Sequence, residues 1–342
     1  MLIDETIKIV FLPVAVLVIL VGIFGNACTL IAIIKCKHLR SSSVNVLLAN
    51  IAVSDLMCLL ISMPDLVEFY FDRWSLGDVV CRIHGAFLEV SYTVCVFSLT
   101  SVAFERYWSM CRPFGVIQTR QKINKVIAGI WLTGNMLSAP LYYGWGVVYE
   151  YGSMFCASSQ WTTQQYVIYY SIQTIGVYLL PLIFILTTHI KIYRLLREKA
   201  YQLPPRQPPS LPTGSVDFPR HSTAETMTLE RIKNNQKQRN QNVIKILITV
   251  TTSFFLLWTP FIVLRLIKAY VPIPLLMWRI SQFLILVMCS VNFFVYSYMS
   301  SDFRKVFRSF VARLRNKKEE GNGNNIRLSR IGTKDHSVNI PK

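Results

Sequence analysis

Apolar residues are gathered in seven long stretches of this chain, and polar or charged segments separate the stretches from one another. Each stretch has at least 19 residues and no more than one Asp, Glu, Lys or Arg. About 20 apolar residues in a helix cross the hydrocarbon of a bilayer, whereas a barrel strand has only about 10, and each backbone polar group in lipid must be paired. The pattern therefore predicts an all-α integral membrane protein, a bundle of seven transmembrane helices over residues 9–34, 44–64, 83–104, 126–149, 165–190, 246–264 and 280–301.

Positive charge is distributed unevenly over the connecting segments. Of the 36 Lys and Arg residues, 30 lie in segments 35–43, 105–125, 191–245 and 302–342, and six lie in the alternate segments. Because Lys and Arg favour the cytoplasmic side, the bias predicts a multi-pass plasma-membrane protein with an extracellular N-terminus and a cytoplasmic C-terminus. The net charge of +18 then reflects topology and attraction to anionic lipid rather than nucleic-acid binding.

The predicted membrane domain covers residues 9–301, and four further regions lie outside the bilayer. Residues 1–8 form the extracellular N-terminus, and a proline-rich cytoplasmic loop runs from about 198 to 240. Residues 302–314 alternate aromatic and basic positions at helical spacing, which predicts a short amphipathic helix on the membrane surface. Residues 315–342 form a polar cytoplasmic tail that we expect to be disordered.

Two of the eight cysteines differ from the others in location. Cys81 stands at the outer start of the third span and Cys156 in the outer loop after the fourth, so both face an oxidising compartment. We expect a disulfide between them that holds this loop across the mouth of the bundle.

Polar side chains inside a membrane span are costly, so each needs a partner or a function. Asp55 lies in the middle of the second span, and Asn26 lies at a similar depth in the first. One interpretation is a hydrogen bond between these two side chains. Another adds a bound cation or proton on Asp55, and both can hold together.

The end of the third span carries Glu105-Arg106-Tyr107, followed by Pro113 and Phe114 in a cytoplasmic loop. An arginine at this boundary can simply extend its charge into water. An exposed phenylalanine soon after it, however, suits the pocket of a partner protein. These five residues are therefore a candidate surface for an intracellular partner.

Proline interrupts the fifth span at Pro181 and the sixth at Pro260, the latter preceded by Phe254 and Trp258. Proline removes one backbone hydrogen bond and kinks a helix. The result is a hinge above which a large indole can change its packing. A purely structural kink is the alternative.

Together these residues resemble the rhodopsin-like (class A) G-protein-coupled receptor family, and most of all its neuropeptide receptor branch. The similarity covers all seven spans and the segment that begins at Phe303. The residues that carry it are Gly25-Asn26, the stretch from Leu48 to Asp55, Cys81 with Cys156, Glu105-Arg106-Tyr107, Trp131, Pro181, Trp258 with Pro260, and Asn292 with Tyr296.

The resemblance implies a receptor without enzymatic activity or cofactor that activates a heterotrimeric G protein, with arrestin and receptor kinases as further partners. Arg106 would engage the G protein, Phe114 would insert into its α subunit, and Trp258 would sense the ligand. The implied activation switch consists of Asn26, Asp55, Pro181, Phe254, Trp258, Pro260, Asn292 and Tyr296.

Two of the chain's departures from the family pattern concern residues of this switch. Phe293 stands where the family usually has proline after Asn292, so the seventh span can lack its usual kink. Cys95 and Met288 replace oxygen donors that the family commonly offers around Asp55, and sodium prefers oxygen. The sequence therefore disfavours a sodium site at Asp55, the one metal site left open.

Residues predicted in the outer halves of the spans indicate the type of ligand. Amine receptors of this family have aspartate where this chain has Leu88, and a retinal pigment needs a lysine in the seventh span, which has none. Acids in the second and third spans oppose cations in the sixth and seventh, which suits a peptide with a basic group and a carboxyl or amidated end. The alternative is that these charges pair with each other and do not bind a ligand, which we call the inert alternative. The candidate ligand-binding residues are Asp65, Glu68, Leu88, Glu89, Tyr92, Gln173, Trp258, Arg265, Arg279 and Gln282.

Three other functions are alternatives to a peptide receptor. A channel or transporter would favour pore charges or inverted repeats, and the chain shows neither. An intramembrane hydrolase would need a nucleophile with a recognisable base, and no span holds one. A lipid or other small-molecule receptor of the same family stays open.

Overall fold

The computed structural model describes residues 5–111, 120–150, 152–158, 160–201 and 248–299, with the single positions 238, 245, 304 and 308. Several predicted features lie outside these residues: Pro113 and Phe114, most of the loop from about 198 to 240, most of the segment 302–314, the tail 315–342 and the side chain of Tyr296.

Seven long helices account for most of the described chain. They are α1 (Glu5–Lys35), α2 (Ser43–Ile61, continued after Ser62 as Met63–Phe71), α3 (Gly77–Cys111), α4 (Arg120–Ser138), α5 (Thr163–Gln173, a π-helical turn Thr174–Leu179, and Leu180–Tyr201), α6 (Ile248–Ile267) and α7 (Leu275–Met299). Single helical turns span Lys37–Arg40 and Leu141–Gly144, and an antiparallel hairpin pairs β1 (Gly146–Glu150) with β2 (Ser153–Ala157).

The outside of the bundle is apolar, as expected for a protein dissolved in lipid. Within the described residues, α1, α2, α3, α5, α6 and α7 are each long and apolar enough to cross a membrane. Leu17, Phe24 and Leu256 are each more than 60% exposed. Contiguous apolar surface on this scale indicates contact with a membrane, and the chain is a multi-pass membrane protein.

The predicted end of the fourth span, at residue 149, is wrong. Helix α4 ends at Ser138, and the apolar residues that follow form the turn Leu141–Gly144 and strand β1. Pro140 cannot donate a backbone hydrogen bond to α4, which favours a helix end nearby. The apolar residues beyond it pack over one end of the bundle, and hydropathy alone cannot distinguish such packing from contact with lipid.

Helix α1 begins at Glu5, four residues before the predicted start of the first span. The carboxylate of Glu5 lies in the first helical turn, where the helix dipole favours negative charge. Lys8 is buried because its ammonium is paired with the carboxylates of Glu5 and Asp72. Because these charges are paired, they are tolerated at the start of a helix that is otherwise apolar enough to span a membrane.

Buried polar side chains connect the helices near the middle of the bundle. The predicted hydrogen bond between the side chains of Asn26 and Asp55 is wrong, because each side chain has a different partner. Asn292 donates its side-chain N–H to Asp55 at 2.7 Å, while Asn26 donates to the backbone carbonyls of Gly22 and Cys289, each at 2.9 Å. Carbonyl acceptors in α1 and α7 satisfy Asn26, and Asp55 instead ties α2 to α7.

A second set of polar contacts joins α2, α3 and α4. The side chain of Asn50 donates to the hydroxyl of Ser98 at 2.8 Å and accepts the indole N–H of Trp131 at 2.9 Å. Each of these side chains would be costly to bury without its partner. The network explains why Trp131 in α4 points back towards α2.

Helices α1 and α7 approach closely at Gly25. A Cβ atom at this position would lie 2.6 Å from the Cβ of Phe293, so only glycine leaves room for the phenyl group. Helix α7 runs without interruption from Leu275 to Met299. Phe293, in place of the proline usual in the family, is therefore accommodated by a partner in α1 rather than by a break in α7.

Candidate functional site

The β1–β2 hairpin covers one end of the bundle, which we call the hairpin end. The predicted disulfide is confirmed: Cys81 at the start of α3 is bonded to Cys156 in β2. Gly85, one turn further along α3, lets the indole of Trp145 pack against the helix, because a Cβ there would lie 2.2 Å from the ring. A covalent bond and a close packing contact thus hold the hairpin on α3.

Beneath the hairpin lies a cavity of about 670 Å³, a volume typical of small-ligand sites. Its wall is formed by α2, α3, α5, α6, α7 and the hairpin. Eight of the predicted ligand-binding residues line it: Asp65, Glu68, Leu88, Glu89, Tyr92, Arg265, Arg279 and Gln282.

Two of the predicted ligand-binding residues do not line the cavity. Gln173 is buried between helices, where its side chain donates to the carbonyl of Leu137 and to the hydroxyl of Tyr169. Trp258 is 1% exposed and packs against Tyr92, with the ring centroids 5.8 Å apart. Because Tyr92 lines the cavity, Trp258 lies one residue layer below its floor.

A buried ion pair joins α3 to α6 across the cavity. Arg265 donates to Glu89 at 2.8 Å, and both side chains are at least 94% buried. The guanidinium also lies 4.5 Å from the ring centroid of Tyr170 and 5.3 Å from that of Phe261. Pairing and aromatic contact together offset the cost of removing both charges from water.

A second ion pair joins α2 to α7 and to the hairpin. Arg279 donates to one carboxylate oxygen of Glu68 at 3.0 Å, and the backbone N–H of Cys156 donates to the other at 2.8 Å. Arg279 also donates to the side chain of Gln282 at 3.3 Å. Glu68 therefore connects two helices and the hairpin through one carboxylate.

Glu68, Asp72 and Glu89 thus each have a lysine or arginine partner, and we call them the three paired carboxylates. Asp65 instead lies 3.3 Å from the imidazole of His84. The inert alternative, in which opposed charges pair with each other, describes most of the charged residues of the cavity wall.

Most of the aromatic residues of the cavity wall were not among the residues predicted from the sequence. Tyr166 and Tyr170 of α5 line the cavity, and the Tyr166 hydroxyl donates to the backbone carbonyl of Arg265 at 3.0 Å. Trp145 of the hairpin and Trp278 of α7 line it as well. The tyrosines of α5 are apparent in the sequence. The position of the hairpin is not, because the hydropathy of residues 141–149 predicts that they belong to the fourth span.

Breaking the Glu89–Arg265 pair should destabilise the protein. Glu89→Gln leaves a buried guanidinium without its counter-charge, so we expect the free energy of unfolding to fall by about 3 kcal/mol. Thermal denaturation of the purified protein measures the effect. The double variant Glu89→Gln/Arg265→Gln should recover part of the loss, and a double variant at least as unstable as the sum of the two single variants would contradict the pairing.

At the opposite end of the bundle, Glu105-Arg106-Tyr107 lies in the last turns of α3. Glu105 is buried and Arg106 is half-buried. The ammonium of Lys191 in α5 lies 5.7 Å from the ring centroid of Tyr107. The triplet is therefore set among side chains of the bundle rather than extended freely into solvent.

The surroundings of Asp55 do not fit a sodium ion. Its carboxylate receives an amide N–H from Asn292 and the thiol of Cys95 at 3.8 Å, and Met288 is buried. These groups are hydrogen-bond donors or soft sulfur atoms, whereas sodium prefers oxygen ligands. The described residues bring together no group of three or more His, Cys, Asp or Glu that could hold a metal ion.

Comparison with known proteins gives the family. Residues 25–296 match the family model of the seven-transmembrane receptors of the rhodopsin family. This chain belongs to that family, the rhodopsin-like G-protein-coupled receptors, as its motifs predicted. The match does not favour a channel or transporter.

Individual relatives are similar to this chain to nearly the same degree. A Gq-coupled rhodopsin of Mizuhopecten yessoensis is 26% identical over 74% of this chain and 49% of its own length. The neurotensin receptor type 1 of Mus musculus is 25% identical over 90% of this chain and 77% of its own. The neuropeptide Y receptor type 4 of the same species is 25% identical over 92% and 82%.

The chain spans about half the length of that rhodopsin and about three quarters or more of the two peptide receptors. The names of these relatives include a rhodopsin, a neurotensin receptor and a neuropeptide receptor, at almost equal identity. Overall identity therefore does not determine the ligand, and the composition of the cavity wall must be used instead.

Proposed function

We propose that this chain is a plasma-membrane receptor that binds an extracellular peptide in the cavity at its hairpin end and activates a heterotrimeric G protein at the opposite end. The observation that carries the proposal is the wall of the cavity, which holds five carboxylates and three cations among aromatic rings. A peptide offers charged, hydrogen-bonding and aromatic groups in comparable proportion.

The other ligand classes fit this wall less well. A lipid chain would cover eight charged side chains with apolar surface and exclude water from them, which is costly even where the charges are paired. Helix α7 contains no lysine for a retinal Schiff base, and Leu88 occupies the place of the aspartate that binds amines. Two of the relatives described above are peptide receptors, which supports the same choice.

The positive-residue bias supports the orientation, with the hairpin end outside the cell and Arg106 near the cytoplasm. We assign ligand contact to the eight lining residues identified from the sequence. We assign G-protein contact to Glu105, Arg106 and Tyr107, with Pro113 and Phe114 beyond them. Arrestin and receptor kinases would act on the same cytoplasmic side.

The signal would pass from the cavity to the core through Tyr92 and Trp258. A ligand that moves the ring of Tyr92 changes the packing of Trp258, which also contacts Phe254 with ring centroids 4.9 Å apart. The remaining members of the proposed switch are Asn26, Asp55, Pro181, Pro260, Asn292 and Tyr296.

The test is a screen of amidated and free-acid peptides against cells that express the chain, with G-protein dissociation as the readout. Glu89→Gln and Arg279→Gln should each lower the potency of an active peptide about tenfold, the effect of losing about 1.4 kcal/mol of binding energy. Glu5→Gln is the matched control, because the Glu5 side chain is 77% exposed and does not line the cavity.

Potency that is unchanged in both cavity variants would place the binding site elsewhere. Dissociation that no peptide evokes, while a membrane-permeant lipid evokes it, would contradict the assignment of the ligand class.

A further inference from the structure

A small side cleft opens from the cavity between α1, α2 and α7. Its own wall is mainly apolar and includes Phe11, Phe69 and Phe283. The ring centroid of Phe11 lies 5.1 Å from that of Phe69 and 5.3 Å from that of Phe283. Five residues line both the cleft and the cavity: Asp65, Leu88, Tyr92, Arg279 and Gln282. The cleft is therefore a branch of the ligand cavity and not a separate void.

The cleft holds about 40 Å³. One water molecule needs at least about 10–15 Å³ on this measure, so the space suits roughly three or four carbon atoms. A small aliphatic side chain has this size. The cleft carries its charge on one side only, at the rim that it shares with the cavity.

Asp65 stands at this rim and differs from the three paired carboxylates. Its only charged partner within the described residues is His84, whose Nε2 atom lies 3.3 Å from one carboxylate oxygen. Histidine carries a charge only when it is protonated, unlike lysine or arginine at neutral pH. His84 is 4% exposed, whereas the side chain of Asp65 keeps 19% of its surface exposed and lines both the cavity and the cleft. His84 therefore covers one side of the carboxylate and leaves the other side open to a ligand.

We propose that Asp65 is the docking carboxylate for a cationic group of the ligand, and that the side cleft takes the small apolar group next to that cation. The inference rests on the proposed function in so far as the ligand is a peptide. It narrows the ligand to peptides in which a guanidinium or ammonium group stands beside a small aliphatic side chain.

A cation fits this rim better than an anion does. The charge of Arg279 at this rim is already balanced by Glu68, whose other carboxylate oxygen accepts the backbone N–H of Cys156. An anionic group would therefore add a further negative charge beside Asp65, and removing charges from water without a counter-charge is strongly unfavourable. A cation at Asp65 breaks none of the lysine or arginine pairs of the cavity.

The experiment uses a reporter thiol and needs no knowledge of the ligand. Gln282→Cys places a thiol on the wall that the cavity and the cleft share. Intact cells are treated with two membrane-impermeant methanethiosulfonates that share the reactive group and have head groups of opposite charge, one trimethylammonium-ethyl and one sulfonato-ethyl. Adduct formation on the purified receptor is followed by mass spectrometry, and the receptor without the reporter gives the background from the native thiols.

With Asp65 intact, the cationic reagent should react faster than the anionic one. Asp65→Asn should lower the ratio of the two rates about tenfold, because a charged side chain in a low-dielectric cleft concentrates the opposite charge. Asp72→Asn is the matched control, since that carboxylate lines the cavity but not the cleft and is paired with Lys8. It should change the ratio by less than about twofold.

An equal rate ratio in the native and Asp65→Asn receptors would overturn the proposal, as would an effect of Asp72→Asn as large as that of Asp65→Asn. Leu88→Cys is a second reporter in case Gln282→Cys does not reach the cell surface. Reporters that are expressed at both positions but never labelled would show that the rim is closed to ligands and would also overturn it.

This labelling requires neither a peptide nor a G protein, so its outcome is independent of the proposed function. If labelling depends on Asp65 but no peptide evokes a response, the cation site is supported and the peptide ligand is contradicted. If peptides evoke a response but labelling does not depend on Asp65, the proposed function is supported and the cation site is contradicted.

Discussion

A receptor with Arg106→Ala is expected to reach the cell surface and bind its ligand but to lose nearly all acceleration of nucleotide exchange on the G protein. Arg106 is half-buried in the last turns of α3, next to a buried glutamate. Removing a buried charged group at an interface costs about 2–5 kcal/mol, so we expect the exchange rate to fall about a hundredfold or more. Guanine-nucleotide exchange on purified heterotrimer in the presence of an active peptide is the measurement.

Arg194→Ala is the matched control for this prediction. Arg194 lies one turn beyond Lys191 on α5 and is exposed, so it has the same charge near the same end of the bundle. We expect exchange to fall by less than about threefold, the effect of a surface charge. Full activity of the Arg106 variant, or an equal loss in the control, would refute a specific role for Arg106.

The second large effect is expected from Cys81→Ala. The disulfide closes a separation of 75 residues in the chain. Constraint of the unfolded chain over that length is worth about 4 kcal/mol in the chain-entropy model. We therefore expect a marked fall in surface expression and in the melting temperature of the purified receptor, and loss of ligand binding as the hairpin leaves the cavity.

Cys156→Ala should have the same effect as Cys81→Ala, and the double variant should be no worse than either single one, because one bond is lost in all three. Cys111→Ala is the control, since that thiol is free and exposed. Additive losses in the double variant would mean that the two cysteines contribute independently of their bond.

The helices could be predicted because a membrane imposes one simple requirement on each span. Length and lack of charge identify a membrane span, whatever its neighbours are. The disulfide could be predicted for a similar reason, since few cysteines faced the oxidising side. The acids and cations of the cavity were also predicted, because ionisable groups near the ends of spans are rare and have a function or a partner.

Other features depend on contacts that hydropathy does not contain. Gln173 precedes a π-helical turn, which adds a residue to the helix and turns the preceding side chains by about 100° relative to an α-helical count. Hydropathy extends the fourth span beyond the end of α4 because the residues of the turn and of most of strand β1 carry no charge. The partner of Asn26 depended on which carbonyl of α7 lies nearest, and sequence spacing does not give that distance.

The fit of Phe293 over Gly25 also limits how the bundle can move. Because the Phe293 side chain packs directly against the backbone at Gly25, α1 and α7 cannot slide past each other at that level. Helix α7 also has no break there at which it could bend. A displacement of this part of α7 must therefore either pull α1 with it or turn α7 about its own axis. Helix α1 of this receptor would therefore take part in such a displacement of α7.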